Sequence, residues 1–88
     1  MEIKVSEMFE KGNLTIVCEE LGKLIVGKEI KLYEYNQESF GYDYVNDYKV
    51  QSVEIFEEEQ LAFTFGKGEW DICSINDTDL IKIEDGSK

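Results

Sequence analysis

The stretch 50-VQSVEIFEEEQLAFTF-65 constrains the fold of this chain more than any other. It holds two runs rich in β-branched and aromatic residues, parted by Glu57, Glu58, Glu59 and Gln60. In the second run Leu61, Phe63 and Phe65 fall on one side of an extended backbone and Ala62 and Thr64 on the other, because successive side chains of a strand point to opposite faces. Three adjacent carboxylates repel one another and are costly to bury, so they belong at the solvated tip of a hairpin. The pattern predicts two paired strands.

Further β signals flank this hairpin. The segment 29-EIKLYEY-35 places Ile30 and Leu32 on one face and Lys31, Tyr33 and Tyr35 on the other. Leu14, Ile16 and Cys18 alternate with Thr15, Val17 and Glu19, the period of a half-buried strand, and Gly22 and Gly27 punctuate the chain beyond it. After a turn at Gly66-Lys67-Gly68, the run 70-WDICSI-75 reads as a strand, 76-NDTD-79 as a tight or 3₁₀ turn, and 80-LIKIE-84 as a last strand through Ile81 and Ile83. Near the start, Ser6 can cap a short helix whose Val5, Met8 and Phe9 share a face and which Gly12 can end. A hairpin pairing residues 2–9 with 14–19 about Lys11-Gly12-Asn13 competes with that helix. Residues 36–48 read as a long loop.

Size and charge bound the function. A chain of 88 residues fits one small domain, residues 1–85, with a polar tail at 86–88, and 42% apolar residues are ample for a folded core. The uncharged runs are too short to span a bilayer and the N-terminus lacks an apolar stretch, so a cytoplasmic location is expected. Twenty acidic residues against nine basic ones, all lysine, give a formal charge of −11. Such a field repels nucleic acid and anionic membranes, attracts the basic surface of another protein, and without arginine offers no bidentate reader of guanine or phosphate.

The chemistry of catalysis is poorly provided for. Histidine is absent, and Cys18 and Cys73 form no CxxC pair, so a zinc site and the commonest nucleophile–base pairings lack their residues. Free thiols in a reducing compartment are expected, each a small apolar residue in a strand, with one disulfide as the alternative for an exported chain. Asp77, Asp79, Glu84 and Asp85 miss the spacing of a calcium loop, and Gly66-Lys67-Gly68 lacks the helix and hydroxyl of a phosphate-binding loop. The chain is expected to be a non-enzyme without metal or cofactor.

Five short strands, a long loop after Tyr35, a central hairpin and a tight turn before the final strand resemble the layout of small SH3-like barrels over residues 24–84. Leu32-Tyr33-Glu34-Tyr35 is similar to the ALYDY motif of SH3 domains. The tryptophan pair and the proline-tyrosine pair of that family have no counterpart here. The expected architecture is therefore mainly β, an SH3-like barrel of about five strands with a short N-terminal helix.

The segment 39-SFGYDYVNDYKV-50 carries the candidate site: Phe40, Tyr42, Asp43, Tyr44, Asp47 and Tyr48, joined by Glu57, Glu58 and Glu59 at the hairpin tip. Rigid aromatics among short polar groups have the chemistry of a protein-binding loop, and Tyr42 is the ring expected in solvent. In the competing arrangement Phe40, Tyr44 and Tyr48 pack inward as a minor core. A small, acidic, arginine-free domain also resembles in composition the DNA-mimic inhibitors of phages and mobile elements, including anti-CRISPR and anti-restriction proteins. That resemblance implies occlusion or regulation of a nucleic-acid-handling protein. An adaptor or assembly module and a small-ligand sequestering protein are the alternatives.

Overall fold

The computed structural model describes residues 1–57, 60–66 and 71–83. Along it run β1 (Glu2–Lys4), α1 (Val5–Lys11), α2 (Leu14–Ile25), β2 (Glu29–Asn36), β3 (Gly41–Phe56), β4 (Gln60–Phe65), β5 (Ile72–Ile75) and β6 (Leu80–Ile83). The strands form one antiparallel sheet in the order β1-β6-β2-β3-β4-β5. β2 to β5 meander, β6 returns to the far side of β2, and β1 lies outside β6.

This sheet is open. β1 and β5 end it without pairing to each other, so the expected five-stranded barrel is corrected to a six-stranded sheet with two helices. The 16-residue β3 carries both halves of it, pairing with β2 through its first part and with β4 through its second. A register shift between Val50 and Ser52 separates the two, and such a bulge bends a strand. Helix α2 then covers the apolar face, supplying the second layer that closure would otherwise provide.

The segment from Leu14 is the largest departure from the sequence reading. It is helix, not strand: Val17, Leu21 and Ile25 recur every four residues and are buried, while Ile16 of the apparent alternation is 43% exposed. Asn13 caps this helix, its Oδ1 accepting from the Ile16 amide at 3.0 Å. The hairpin between 2–9 and 14–19 is likewise set aside, since Glu2, Ile3 and Lys4 pair with Lys82, Ile81 and Leu80. The short helix is present and Gly12 ends it, but Lys4 occupies its cap position without a side-chain bond and Ser6 lies inside. The chain enters α1 directly from β1, so the last residue of the strand doubles as the cap.

The remaining strands form where expected, but on β4 Ala62 is buried together with Leu61 and Phe63, and Phe65 is half-buried. Ile30 and Leu32 are buried on β2, and Val53 and Ile55 stand opposite Phe63 and Leu61 in the β3–β4 hairpin. Gly66 turns the chain after β4 at φ 70, a left-handed conformation that favours glycine. Trp70, Lys67, Gly68 and Glu84 lie outside the described residues. The core joins Val5, Val17, Leu21 and Ile25 of the helical layer to Ile30, Leu32, Val50, Leu61, Phe63 and Ile81 of the sheet.

The 76–79 turn is tight, with the Asp79 amide donating to the Asn76 carbonyl at 3.1 Å. Asp79 is 3% exposed and its Oδ2 accepts the Asn76 amide at 2.9 Å, while its own carbonyl takes the Val5 amide at 3.1 Å. Burial pushes the Asp79 carboxyl above its ordinary value; the Asn76 amide opposes this, and Glu34 and Asp77 add to it. A raised folded-state value means that its contribution to stability is complete below the unfolded value of about 3.9 and is lost as pH rises through the folded value. Asp79→Asn keeps an acceptor for Asn76 and removes the charge. Urea unfolding at several pH values should therefore show the variant gaining on the parent as pH rises above the unfolded value of about 3.9. A variant that loses ground over that range would show that the ionised carboxylate is the favoured form.

Candidate interaction surface on the β2–β3 hairpin

The expected loop at 36–48 is instead a continuation of β2 and β3. Tyr35 pairs with Tyr42 and Asn36 with Gly41, leaving only residues 37–40 as a turn. Cross-strand pairing overrides the loop-like composition, because tyrosines facing each other stabilise a ladder. From Tyr33 to Asp47 no residue is buried, so this part of the hairpin carries its side chains outside the core.

A one-residue irregularity sets its register. Leu32 faces Asn46 but Tyr33 faces Tyr44, so Val45 is the extra residue of a bulge. Tyr33 and Tyr44 then meet edge to face at 5.6 Å, as do Tyr35 and Tyr42 at 5.6 Å. These T-shaped contacts suit the ring quadrupole. Lys82 Nζ sits 4.7 Å from the centre of the Tyr33 ring, and Lys31 Nζ lies 5.9 Å from that of Tyr44. The result is a four-tyrosine ladder with two cations over it.

The acidic candidates fall into different environments. Asp47 is engaged within the hairpin: Lys31 Nζ is 3.2 Å from its Oδ1 and the Tyr44 hydroxyl donates to the same oxygen at 2.7 Å. The Tyr44 bond, then Lys31, hold the Asp47 carboxyl below its usual range, and the same bond raises the Tyr44 phenol. Asp43 lies across from Glu34 on the opposite face of the ribbon, where it accepts from Asn36 Nδ2 at 2.8 Å and keeps its charge uncompensated by that neutral amide. At the tip, Asn36 Oδ1 accepts the Glu38 amide at 2.9 Å, and Phe40 stands 83% exposed with φ 56.

The fold thus brings together Phe40, Tyr42, Asp43, Tyr44 and Asp47 and sets the other candidates apart. Of the rings expected to pack inward in the competing arrangement, only Tyr48 does so, lying 5.1 Å from Phe63 and 4.6 Å from Phe65. Phe40 and Tyr44 are more exposed than Tyr42, the ring expected in solvent. Glu57 is exposed at the other end of β3, after Phe56, whereas the tyrosine tip precedes Gly41. Glu58 and Glu59 lie outside the described residues. Tyr33 and Tyr35 belong to the ladder and are missing from the sequence-derived set. The signal for them is the period-two match between 33–35 and 42–44, visible only once the two runs are paired.

Elsewhere the chemistry is quiet. Cys18 lies on α2 rather than on a strand, and its thiol donates to the Val53 carbonyl at 3.5 Å. Burial raises the thiols of Cys18 and Cys73 alike, and a raised thiol is a poor nucleophile. Among the described residues no group of three or more metal-ligating side chains converges, and no helix is long and apolar enough to cross a membrane. An open cleft of about 310 Å³ lies between Phe9, Leu61, Ile75, Asn76 and Asp77, with Gln60 already committed to the Ile75 carbonyl at 2.7 Å. Comparison with known proteins finds no family description, no curated protein and no solved structure that matches this chain.

Proposed function

We propose that this chain is a non-enzymatic acidic binding protein whose β2–β3 hairpin occupies the basic surface of a nucleic-acid-handling protein. The observation that carries the reading is the make-up of the hairpin. Between Leu32 and Tyr48 it holds Glu34, Glu38, Asp43 and Asp47 and no lysine, next to the exposed rings of Phe40, Tyr42 and Tyr44. Carboxylates at intervals along a ribbon take the place of phosphates against lysines and arginines, and the rings supply contact area at low entropic cost. Action in the cytoplasm on a host defence nuclease, in the manner of a phage DNA mimic, is the specific form of this proposal.

The test uses the protein as bait in extracts of its source cells at about 0.05 M and about 0.5 M salt, a range over which exposed charges are increasingly screened. The captured protein is identified, purified and titrated with and without duplex DNA. Binding is expected to weaken steeply with salt and to be competed by DNA. A complex indifferent to both would leave the acidic surface as a solubilising feature only.

A further inference from the structure

Phe40 closes the β2–β3 turn in a left-handed backbone conformation that disfavours its side chain, as Glu57 does at the β3–β4 turn with φ 53. The turn 37–40 closes between Asn36 and Gly41, and its last residue lies in the left-handed region at φ 56, where glycine or asparagine is favoured. The glycine of this turn stands one position later, at Gly41, which is not among the residues of positive φ. An aromatic side chain is therefore strained at the tip of the hairpin while its ring, 83% exposed, gains little from the protein's own packing. What sets Phe40 apart is that the residue held in this conformation is a large apolar ring left in water, and an exposed ring on a fixed turn is suited to a use outside the chain.

The surroundings say what that use requires. The hairpin beneath Phe40 is braced by the Tyr33–Tyr44 and Tyr35–Tyr42 contacts, by Asn36 to Asp43, and by the Asn36 bond to the Glu38 amide. A tip held in this way loses little conformational freedom on docking. The same end of the hairpin carries Glu34, Glu38 and Asp43, with no lysine between Lys31 and Lys49. We propose that Phe40 is the anchor of the hairpin, entering an apolar socket on a partner protein whose rim carries lysine or arginine side chains. This rests on the reading of the hairpin as the contact surface. A buried aromatic at the centre and charge pairs at the rim is how small interfaces concentrate their affinity. Insertion of the ring into a bilayer is opposed by the same carboxylates, which an anionic surface repels.

Three measurements test it. First, the free Phe40→Gly protein should melt at the same temperature as the parent or a few degrees higher, because glycine relieves the left-handed backbone. A clear fall would make Phe40 a packing residue and overturn the proposal. Second, p-benzoyl-L-phenylalanine placed at position 40 of the full chain and irradiated in the source cells should give one dominant adduct, mapping to apolar residues with lysine or arginine nearby. The same probe at Glu10, exposed on α1, should not give it. Absence of the adduct, or its appearance from both positions, counts against the anchor. Third, the cross-linked protein is purified and titrated. Phe40→Gly should weaken Kd at least about tenfold at both low and high salt, as expected for loss of a central aromatic contact. An unchanged Kd in a complex that still dissolves with salt would retain the acidic hairpin and discard the anchor. Vesicles of phosphatidylserine and phosphatidylcholine should not co-float with the protein, and flotation abolished by Phe40→Gly would assign the tip to a membrane instead.

Discussion

Phe63→Ala is expected to cost about 3–5 kcal/mol, the range for removing a large aromatic from a packed core. Phe63 is fully buried at the centre of β4, facing Val53 on β3 and Cys73 on β5, and its ring meets Tyr48 at 5.1 Å and Phe65 at 6.1 Å. Through these contacts it ties the meander to the base of the tyrosine hairpin. An 88-residue domain has roughly 4–13 kcal/mol of total stability at the usual ~0.05–0.15 kcal/mol per residue. The loss is therefore a large share of the whole. At about 4–8 °C per kcal/mol for a domain of this size, the thermal midpoint should fall by at least about 12 °C, or cooperative unfolding should vanish. Tyr48→Phe, which keeps the ring and removes only the hydroxyl, is the comparison. A loss below about 1 kcal/mol for Phe63→Ala would be incompatible with this β3–β4–β5 register.

The second large effect concerns association with the partner. Reversing Glu38 and Asp43 together to lysine is expected to slow association at low salt by about 10- to 100-fold, because rim and steering charges act on encounter. At high salt the difference should shrink toward nothing. Asp47→Lys should also slow association, because it changes the local charge by the same amount, and should in addition cost stability through loss of the Lys31 and Tyr44 contacts. Tyr42→Ala is expected to act chiefly on dissociation, as contact residues do. Stopped-flow or surface-binding kinetics separate these arms. No slowing by either reversal at low salt would mean that the charge of this hairpin does not steer the encounter.

Asp43 and Asp47 show how far a linear reading of the site can go. Both lie in a segment of rings and carboxylates, and composition alone makes them equivalent. Pairing with β2 separates them. One meets a lysine that is 16 residues away in sequence, while the other meets a neutral asparagine on the opposite face. Tyr48 shares the segment yet turns inward, because it lies four residues beyond Tyr44, across the Val45 bulge, and faces Ile30 of the core.

Some features were decided by the chain alone. The acidic field follows from its residues in any conformation, and the strands at 30–32, 61–65 and 81–83 follow from period-two alternation, because one face must leave water. Other features waited on contacts between distant segments. Residues 14–18 satisfy both the strand and the helix period, and only Val17, Leu21 and Ile25 closing over the sheet select the helix. The tyrosine ladder needed Tyr33 and Tyr35 brought opposite Tyr44 and Tyr42 through a one-residue bulge. The open sheet needed β1 to take the outer edge of β6 and α2 to cover the apolar face that a barrel would have enclosed. Local periodicity sets which side of each segment is apolar. Which segments share that side is a matter of long-range packing, where the burial of apolar surface outweighs the local preference of any one stretch.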